Sequence, residues 1–466
     1  MKLSRAIRLS NSACLAISGA GGKTVALFQL ARELAVGESP VLVTATTHLH
    51  VDQIKLADVH WIAKKPEDLE GFERNLHGVV LVTGPKEGDR TVGVSPEVTA
   101  WLHALQKQYR LPLLIEADGS RRRPLKAPAA YEPDIPDFID MVVVVAGMTG
   151  LGKPLTGDFV HRPEIFALLS GLNMGDNVTT EAITRVLIHP SGGLKNIPSG
   201  AQRVALLNQS DTPVLQAHAK TIAAQLLPAY QSIVAASLNP VPALPGETPS
   251  IHAIYERVAG IVLAGGESAR FGEPKQLLDW QGKPFVQAVA ETALNAGLSP
   301  VLVVTGAHAD RVENALRDLD VGIAYNPDWQ AGQSSSIQAG LRSLALTTDR
   351  RLLSKNKGSM SSWGGVGAAI FLLVDQPQVT PPILRSLVEQ HTRTQGSIIA
   401  PLVDGKRANP VLFDRITFPE LMALSGDVGG RAIFSKLPVE YLTWHDQSLL
   451  ADVDTVDDYR KLNNRQ

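Results

Sequence analysis

Short apolar runs alternate with amphipathic stretches along the whole chain. Stretches such as 23–36 and 95–109 repeat apolar residues with the period of a helix. The apolar runs between such stretches predict strands buried on both faces, as in parallel sheets covered by helices. They lie at 15–18, 40–45, 79–84, 112–118, 141–147, 203–208, 258–264, 300–306, 321–326, 368–377, 397–404 and 439–444. The pattern predicts an α/β fold with mostly parallel sheets flanked by helices.

One proline-rich stretch interrupts this rhythm near the middle of the chain. The sequence "SLNPVPALPGETPS" at 237–250 has four prolines and no clear period, which is typical of a linker. At 466 residues the chain is also longer than one ordinary core. We therefore expect two Rossmann-like domains, at 1–238 and 257–466, joined by a linker at 239–256.

Composition excludes several classes of partner. The net charge of −2 gives no general attraction to nucleic acid or to an anionic membrane. No apolar run approaches the roughly 20 residues of a membrane span, and polar residues interrupt the N-terminal segment before a signal-peptide core forms. The one cysteine, Cys14, cannot form an intrachain disulfide. We expect a cytoplasmic protein that binds neither nucleic acid nor membrane.

A glycine-rich loop follows the first strand of the second half. Its sequence, "LAGGESARFGEPK" at 263–275, lacks the dinucleotide pattern G-x-G-x-x-G. Glycines let the backbone approach a phosphate chain, and Arg270 and Lys275 supply positive charge. The candidate binding residues in the loop itself are Leu263, Ala264, Gly265 and Gly266. The alternative is a plain β-to-α turn with two solvated cations.

Two aspartates of the second half are candidate metal ligands. Asp375 ends a very apolar strand, so its carboxylate emerges at the edge of the sheet where α/β proteins bind ligands. A carboxylate there suits Mg²⁺ bound to a triphosphate. Asp454, in "DVDT", is either a second ligand or a cap of the last helix. Asp375 has a similar alternative, the capping of the turn at Pro377.

The second half resembles the MobA-like nucleotidyltransferases, and within them the molybdenum cofactor cytidylyltransferases of the MocA type. The loop above carries the resemblance, together with "AGQSSSIQAGL", "LLVDQPQVTPPIL", "DGKRANPVLFDR", "LSGDVGGRAIF" and "DVDTVDDY". It covers about 258–462. The resemblance implies that Arg270, Lys275 and Asp375 are catalytic and that Asp375 binds the metal.

The resemblance also implies the substrates. Ser336, which by sequence begins a helix, would border the base, and the pterin side would include Arg407, Asn409, Asp427 and Arg431. The implied reaction joins CMP from CTP to the terminal phosphate of molybdenum cofactor, with Mg²⁺ bound and pyrophosphate released. Gly265 gives the guanylyl-type sequence LAGG, so GTP stays an alternative. A cofactor carrier with a nucleotide switch and a sugar or isoprenoid nucleotidyltransferase are further alternatives.

A different glycine loop, "GAGGKT" at 19–24, opens the first half. It resembles the phosphate loop of the Mur ligases, which implies that Gly19, Gly21 and Gly22 would cradle phosphates and that Lys23 and Thr24 would meet phosphate and Mg²⁺. The helix that starts near Lys23 points its positive end at the same place. Ile17 stands where the Walker pattern requires glycine, so an empty glycine turn is the alternative. Further on, Asp118 ends a strand together with Glu116, as metal-binding acids often do.

This half resembles the selenium-dependent hydroxylase accessory family of the YqeC type. The stretches "GAGGKT", "TTHL", "EADGSRRRPLKAP", "MTGLGKPL" and "HRPE" carry the resemblance over about 12–238. It implies a domain that uses ATP or GTP and assists the maturation of molybdenum hydroxylases. Transient contact with an apo molybdenum hydroxylase is therefore expected of the whole chain.

Overall fold

The computed structural model divides the chain into two compact units, Met1–Tyr255 and Glu256–Gln466. Residues 250–256, which we expected in the linker, begin a strand, and the rest of the expected linker at 239–249 lies outside the described residues. The described residues are 1–36, 39–238, 250–268, 271–347, 363 and 365–463.

The first unit is built around one parallel sheet. Its strands are β1 (Cys14–Gly19), β2 (Val41–Ala45), β3 (Leu49–His50), β4 (Val59–Ile62), β5 (Val79–Thr83), β6 (Lys86–Glu87), β7 (Arg90–Thr91), β8 (Leu113–Glu116), β9 (Leu125–Lys126), β10 (Met141–Gly147), β11 (Val160–His161), β12 (Gln202–Asn208) and β13 (Ser232–Ser237). Its helices are α1 (Leu3–Ala6), α2 (Lys23–Leu34), α3 (Pro96–Tyr109), α4 (Pro163–Ser170), α5 (Thr180–Ile188) and α6 (Pro213–Leu226). The sheet order is β4-β5-β2-β8-β1-β10-β12-β13, with every neighbouring pair parallel.

Both faces of this sheet are buried, which explains the continuous apolar runs of its strands. Along β1, Cys14 and Ala16 pack in one core, whereas Leu15 and Ile17 pack in the core on the other face. Because neighbouring strands are parallel, β1, β2, β8, β10 and β12 all end at the same edge of the sheet. Each strand end there is followed by a loop, and these loops form the candidate site.

The second unit contains a mixed sheet with a parallel centre. Its strands are β14 (Ser250–Leu263), in which the division between the units falls, β15 (Asp279–Trp280), β16 (Lys283–Pro284), β17 (Val301–Thr305), β18 (Gly322–Tyr325), β19 (Val366–Leu373), β20 (Ile398–Val403), β21 (Lys406–Arg407), β22 (Val411–Asp414) and β23 (Val439–Thr443). Its helices are α7 (Phe285–Asn295), α8 (Ala309–Leu316), α9 (Gln333–Thr347), α10 (Pro381–Thr394), α11 (Phe418–Met422) and α12 (Val456–Asn463). Strands β18, β17, β14 and β19 are parallel neighbours in that order, and β22 is antiparallel to β19.

The predicted α/β fold is confirmed, with all twelve predicted strands present. Four strands of the two main sheets, β4, β13, β21 and β22, were not predicted. As in the first unit, alternate residues of the central strand face opposite cores, with Val258 and Val262 on one side and Ala259 and Ile261 on the other. None of the described helices has the length and apolar character needed to span a bilayer.

Candidate functional site

The glycine loop of the first unit is a tight turn between β1 and α2. Gly19, Gly21 and Gly22 have φ angles of +98°, +83° and +122°, in the region that glycine adopts at no steric cost. A Cβ at Gly19 would lie 2.2 Å from the Val145 carbonyl oxygen. The loop is therefore closed to side chains, and it leads directly into the N-terminus of a 12-residue helix.

Lys23 and Thr24, the first residues of α2, both meet acids from the end of β8. The Lys23 Nζ donates to the Gly19 carbonyl at 2.8 Å and lies 3.8 Å from a Glu116 carboxylate oxygen. The Thr24 hydroxyl donates to the other oxygen of Glu116 at 2.8 Å. Burial, with Asp118 nearby, raises the pKa of Glu116 against the opposing effects of Lys23 and Thr24.

Asp118, the predicted metal ligand of the first unit, is surrounded by hydrogen-bond donors. Both of its carboxylate oxygens accept from the Gly19 N–H at 3.1 Å, and one accepts from Lys126 at 2.8 Å. Lys23 Nζ is 3.3 Å from the other. These contacts make Asp118 an anchor of the glycine loop. They leave Glu116, beside the Thr24 hydroxyl, as the better-placed acid for a metal ion.

An open cleft of about 500 Å³ lies in front of this loop. At its rim Glu132 accepts from Arg162 at 2.6 and 3.0 Å and from Lys126 at 2.8 Å. Burial opposes ionisation of Glu132, but these hydrogen bonds prevail and lower its pKa to about 2. Burial and the nearby cations lower the pKa of His161, also in the lining, to about 4. The acid is charged and the imidazole neutral at pH 7.

The glycine loop of the second unit follows β14. Gln276, which is 1% exposed, donates to the carbonyls of Gly266 at 2.6 Å and Ala264 at 3.1 Å. The Lys275 N–H donates to the Ser268 hydroxyl at 3.1 Å, which returns the loop toward its start. Arg270, a predicted catalytic residue, lies outside the described residues.

Lys275 and three aspartates come together next to this loop. The Lys275 Nζ is 2.9 Å from Asp454 Oδ1, and the Val453 N–H donates to the Asp375 carbonyl at 3.3 Å. The Gln376 amide donates to Asp452 at 2.5 Å. Burial, together with Asp452 and Asp454, raises the pKa of Asp375 to about 6, although Lys275 opposes the shift. The strand end and the "DVDT" segment thus form one acidic site.

This acidic site suits a divalent cation that takes part of its coordination from a substrate. Burial raises the pKa of the Asp375 carboxyl, and a hard cation beside it would favour its ionised form. Within the described ranges no three Cys, His, Asp or Glu side chains converge to hold a metal by themselves. The protein alone therefore supplies only part of a coordination shell, as is usual for Mg²⁺ bound through phosphates.

Ser336 lies directly opposite Gly265. It is the fourth residue of α9, which begins at Gln333, so the prediction that it caps this helix is wrong. Its hydroxyl instead accepts from the Asn326 amide at 3.1 Å. A Cβ at Gly265 would lie 3.2 Å from the same oxygen. The predicted base residue and the glycine loop therefore face each other.

The residues predicted for the pterin side fall into two groups. Asp427 accepts from the Gln333 N–H at 3.2 Å, so its carboxylate meets the N-terminus of α9 beside Ser336. Arg407 lies over the rings of Phe434 and Tyr441, 5.7 Å from each centroid. Arg431 donates to Asn409 at 3.4 Å. Asp427 therefore lies near Ser336, whereas Arg407, Asn409 and Arg431 lie near the end of the sheet at β20.

Several side chains that hold these sites were not found by sequence reasoning. Asn208 donates to the Gly21 carbonyl at 2.8 Å. In the second unit Gln276 donates to two carbonyls of the glycine loop, and Gln376 donates to Asp452. Each is a buried amide next to a predicted site residue or at a strand end. A polar amide immediately after "EPK" or inside "VDQPQ" was the available signal, since buried amides need partners.

Two family models match the chain, one in each half. The YqeC protein family matches residues 15–164. The MobA-like NTP transferase domain matches residues 260–441. The matched ranges contain the two glycine loops, together with Glu116 in the first half and Asp375 in the second.

Individual relatives also match one half each. The uncharacterized protein YqeC of Escherichia coli K12 is 34% identical over 199 residues, which are 42% of this chain and 75% of that protein. Nicotine blue oxidoreductase of Paenarthrobacter nicotinovorans is 30% identical over 215 residues, 44% of this chain and 96% of that protein. A probable molybdenum cofactor guanylyltransferase of Bacillus anthracis is 26% identical over 213 residues, 44% of this chain and 94% of that protein. The chain thus belongs to the YqeC family through its first half and to the MobA-like nucleotidyltransferases through its second.

Proposed function

We propose that the second unit transfers CMP from CTP to the terminal phosphate of molybdenum cofactor and releases pyrophosphate. The observation that carries the proposal is the meeting of Lys275, Asp375 and Asp454 beside the Gly265–Gly266 loop. Cation, carboxylates and bare backbone at one strand edge are the groups that phosphoryl chemistry requires. The similarity to a probable molybdenum cofactor guanylyltransferase supports the choice of acceptor.

In the proposed reaction a phosphate oxygen of the cofactor forms a bond to the α-phosphorus. The bond from that phosphorus to the oxygen bridging toward the β-phosphate breaks, and pyrophosphate leaves with that oxygen. The attacking phosphate is already anionic, so no side chain has to remove a proton. Lys275 neutralises charge on the phosphates, and the loop orients them. Arg270 is proposed as a second cation.

Mg²⁺ is the metal we propose, held by Asp375 and Asp454 together with phosphate oxygens. Bound there it would supply positive charge that stabilises the charge on the leaving group. The Lys275 Nζ lies 2.9 Å from Asp454 Oδ1, so the lysine would be available to neutralise the charge of phosphates bound there.

CTP is proposed over GTP because of the stretches "SSSIQAGL", "DQPQVTPP" and "RANPVLF". GTP is the alternative, favoured by Gly265 and by the guanylyltransferase relative. The relative named as an oxidoreductase raises a different chemistry. The loop of this chain lacks the glycine pattern of dinucleotide sites, so we do not extend that activity to it.

The test is pyrophosphate release by the full chain with Mg²⁺, molybdenum cofactor and CTP, GTP or ATP in separate reactions. CTP-selective release that requires the cofactor supports the proposal, and GTP-selective release supports the alternative. Asp375→Asn is expected to abolish release, whereas Asp457→Asn, an exposed carboxylate on α12, is not. No release with any nucleotide would favour a carrier that hands cofactor to an apo molybdenum hydroxylase.

We further propose that the first unit binds the phosphates of ATP or GTP. The observation that favours this is the hydrogen bond between Thr24 and Glu116 at the N-terminus of α2, because hydroxyl and carboxylate together can bind Mg²⁺ at the end of a phosphate chain. Nucleotide binding measured by calorimetry is expected to fall in Lys23→Ala. Unchanged binding would contradict the proposal.

A further inference from the structure

The cleft of the first unit carries more positive charge than one nucleotide requires. Lysine and arginine side chains in its lining outnumber the acids by six to two. Lys23 lies near Glu116, and Arg162 is paired with Glu132. The remaining four cations of the lining are Arg90, Arg121, Arg122 and Arg123.

These four arginines have weak partners or none. Arg123 and Arg90 lie 3.9 and 4.0 Å from single, exposed aspartates. In the described part of the chain no carboxylate lies within 4 Å of Arg121 or Arg122, both of which are exposed. Guanidinium groups left in this way at a concave surface are suited to an anionic ligand, and most of all to phosphate, which they bind through two parallel hydrogen bonds.

The loop that carries three of them, residues 120–123, is joined to the phosphate loop. The Gly21 N–H donates to the Arg123 carbonyl at 3.1 Å, and the Arg123 N–H donates to the Ser120 carbonyl at 3.0 Å. Arg121 and Arg122 have φ angles of +49° and +60°, which side-chain-bearing residues rarely adopt. A strained turn thus holds two guanidinium groups, neither in an ion pair with any described residue, within the same cleft as Lys23 and Thr24.

We propose that this cleft is a two-ligand site, in which Arg121 and Arg122 bind a second small molecule that bears a phosphate group. This inference rests on the proposed nucleotide site, because the second ligand would lie beside the terminal phosphate of the nucleotide. Lys23 and the N-terminus of α2 serve the nucleotide. The arginines serve its neighbour, whose phosphate would otherwise be repelled by the nucleotide.

The experiment consists of two calorimetric titrations of the full chain in excess Mg²⁺. The first titrates the non-hydrolysable ATP analogue AMPPNP, and the second titrates inorganic pyrophosphate with AMPPNP present at a saturating concentration. The variants are the double substitution Arg121→Gln and Arg122→Gln, the single Lys23→Ala, and Arg110→Gln as matched control. Arg110 is also exposed and has a φ of +53°, but it lies at the end of α3 and outside the cleft lining. The second unit keeps its wild-type sequence in every variant. Any pyrophosphate or AMPPNP that it binds is therefore the same throughout and cancels when variants are compared.

We expect the double variant to bind pyrophosphate at least about tenfold more weakly, with AMPPNP affinity within about twofold of the wild type. Arg110→Gln should match the wild type for both. If the double variant loses AMPPNP and pyrophosphate affinity equally, the arginines serve the nucleotide and the second ligand is refuted. Unchanged pyrophosphate binding also refutes it.

The Lys23→Ala arm tests the nucleotide site separately. A loss of AMPPNP affinity in this variant, with the arginine effect intact, supports both proposals. Unchanged AMPPNP affinity overturns the nucleotide site, and the two-ligand description falls with it. If Lys23→Ala loses AMPPNP affinity but the arginine substitutions leave pyrophosphate affinity unchanged, the proposal of a second ligand is overturned and the nucleotide site is not.

Discussion

Gly265 is the residue at which the choice of base can be tested. Its ideal Cβ would lie 3.2 Å from the Ser336 hydroxyl, so a methyl group there narrows the space next to the proposed base. We expect Gly265→Ala to lower kcat/KM for GTP about tenfold more than for CTP, since a purine needs the larger space. Pyrophosphate release with each nucleotide gives the ratio.

Gly266→Ala is the matched control for this substitution. A Cβ at Gly266 would meet nothing within 4 Å, so the same added methyl should change the ratio by less than about twofold. A Gly265→Ala variant that lost CTP activity and kept GTP activity would contradict the proposed pocket. Equal losses in both glycine variants would mean that the loop backbone, and not the base, is affected.

Asp375 should make stability depend on pH in the absence of metal. Its pKa rises from 3.8 to about 6, mainly because of burial, so the folded protein loses stability as pH rises through that range and the carboxyl ionises. Asp375→Asn has no such loss. At about pH 8 we expect the variant to be about 1–2 kcal/mol more stable to urea, with the difference closing near pH 4.

The measurement is urea unfolding in EDTA at both pH values, with Asp457→Asn as the control carboxyl on the surface of α12. A variant less stable than the wild type at pH 8 would contradict the raised pKa. Excess Mg²⁺ should shrink the difference at pH 8, because a bound cation stabilises only the wild-type carboxylate.

At the scale of single residues, the sequence indicated which residues belong to the site better than it indicated which atoms they contact. Asp375 and Lys275 were selected because a strand end and a glycine loop expose such groups, and the structure brings them together. The role of Gln276 was not predicted, because its partners are two carbonyls whose position depends on the path of the loop. Ser336 was assigned to the wrong helix position since "QSSS" offers several residues able to start a helix.

Among the elements, the loop after β14 depends on Gln276 for its shape. Replacement by Leu removes three hydrogen bonds: it leaves the carbonyls of Ala264 and Gly266 without their donor and the Ser268 hydroxyl without its acceptor. We expect Gln276→Leu to cost about 1–3 kcal/mol of stability and to raise the KM for CTP more than it lowers kcat, since the loop binds phosphates in the ground state as well. Steady-state kinetics separate the two.

Gln287→Leu is the control for that prediction. Gln287 also donates through its amide, to Glu291 one turn further along α7, but this contact lies on a helix surface and orders no loop. It should leave KM unchanged. If Gln276→Leu lowered kcat alone, the loop would act only in the transition state, contrary to our expectation.

The elements that the sequence missed share a physical reason. Strand β4, "VHWI", is half-buried along its length and lacks a continuous apolar run. Strand β22 has only four residues and pairs antiparallel with β19, a direction that apolar runs do not encode. Burial on both faces leaves a plain apolar signal in most of the parallel strands, but β13, which is parallel to β12 and buried over its first five residues, was missed as well.

For the whole molecule, each unit has a sheet with its own cores on both faces and its own candidate site. The proline-rich composition suggested more than one domain, with a linker at 239–256, and the contacts divide the chain inside β14, at Tyr255. Composition alone cannot locate this division between the units. Residues 250–256 belong to a strand, and strands pair through backbone groups that almost any sequence supplies.

Separate cores and separate sites predict that each site works without the other. Lys23→Ala should leave CTP-dependent pyrophosphate release within about twofold of the wild type, while Asp375→Asn should lower it at least about a hundredfold. For AMPPNP binding at the first unit we expect the opposite: Lys23→Ala should weaken it, whereas Asp375→Asn should leave it nearly unchanged. Lys107→Ala, on the exposed end of α3, is the control. If Lys23→Ala slowed CMP transfer as strongly as Asp375→Asn while the protein stayed equally folded, the two glycine loops would be energetically coupled, contrary to our expectation.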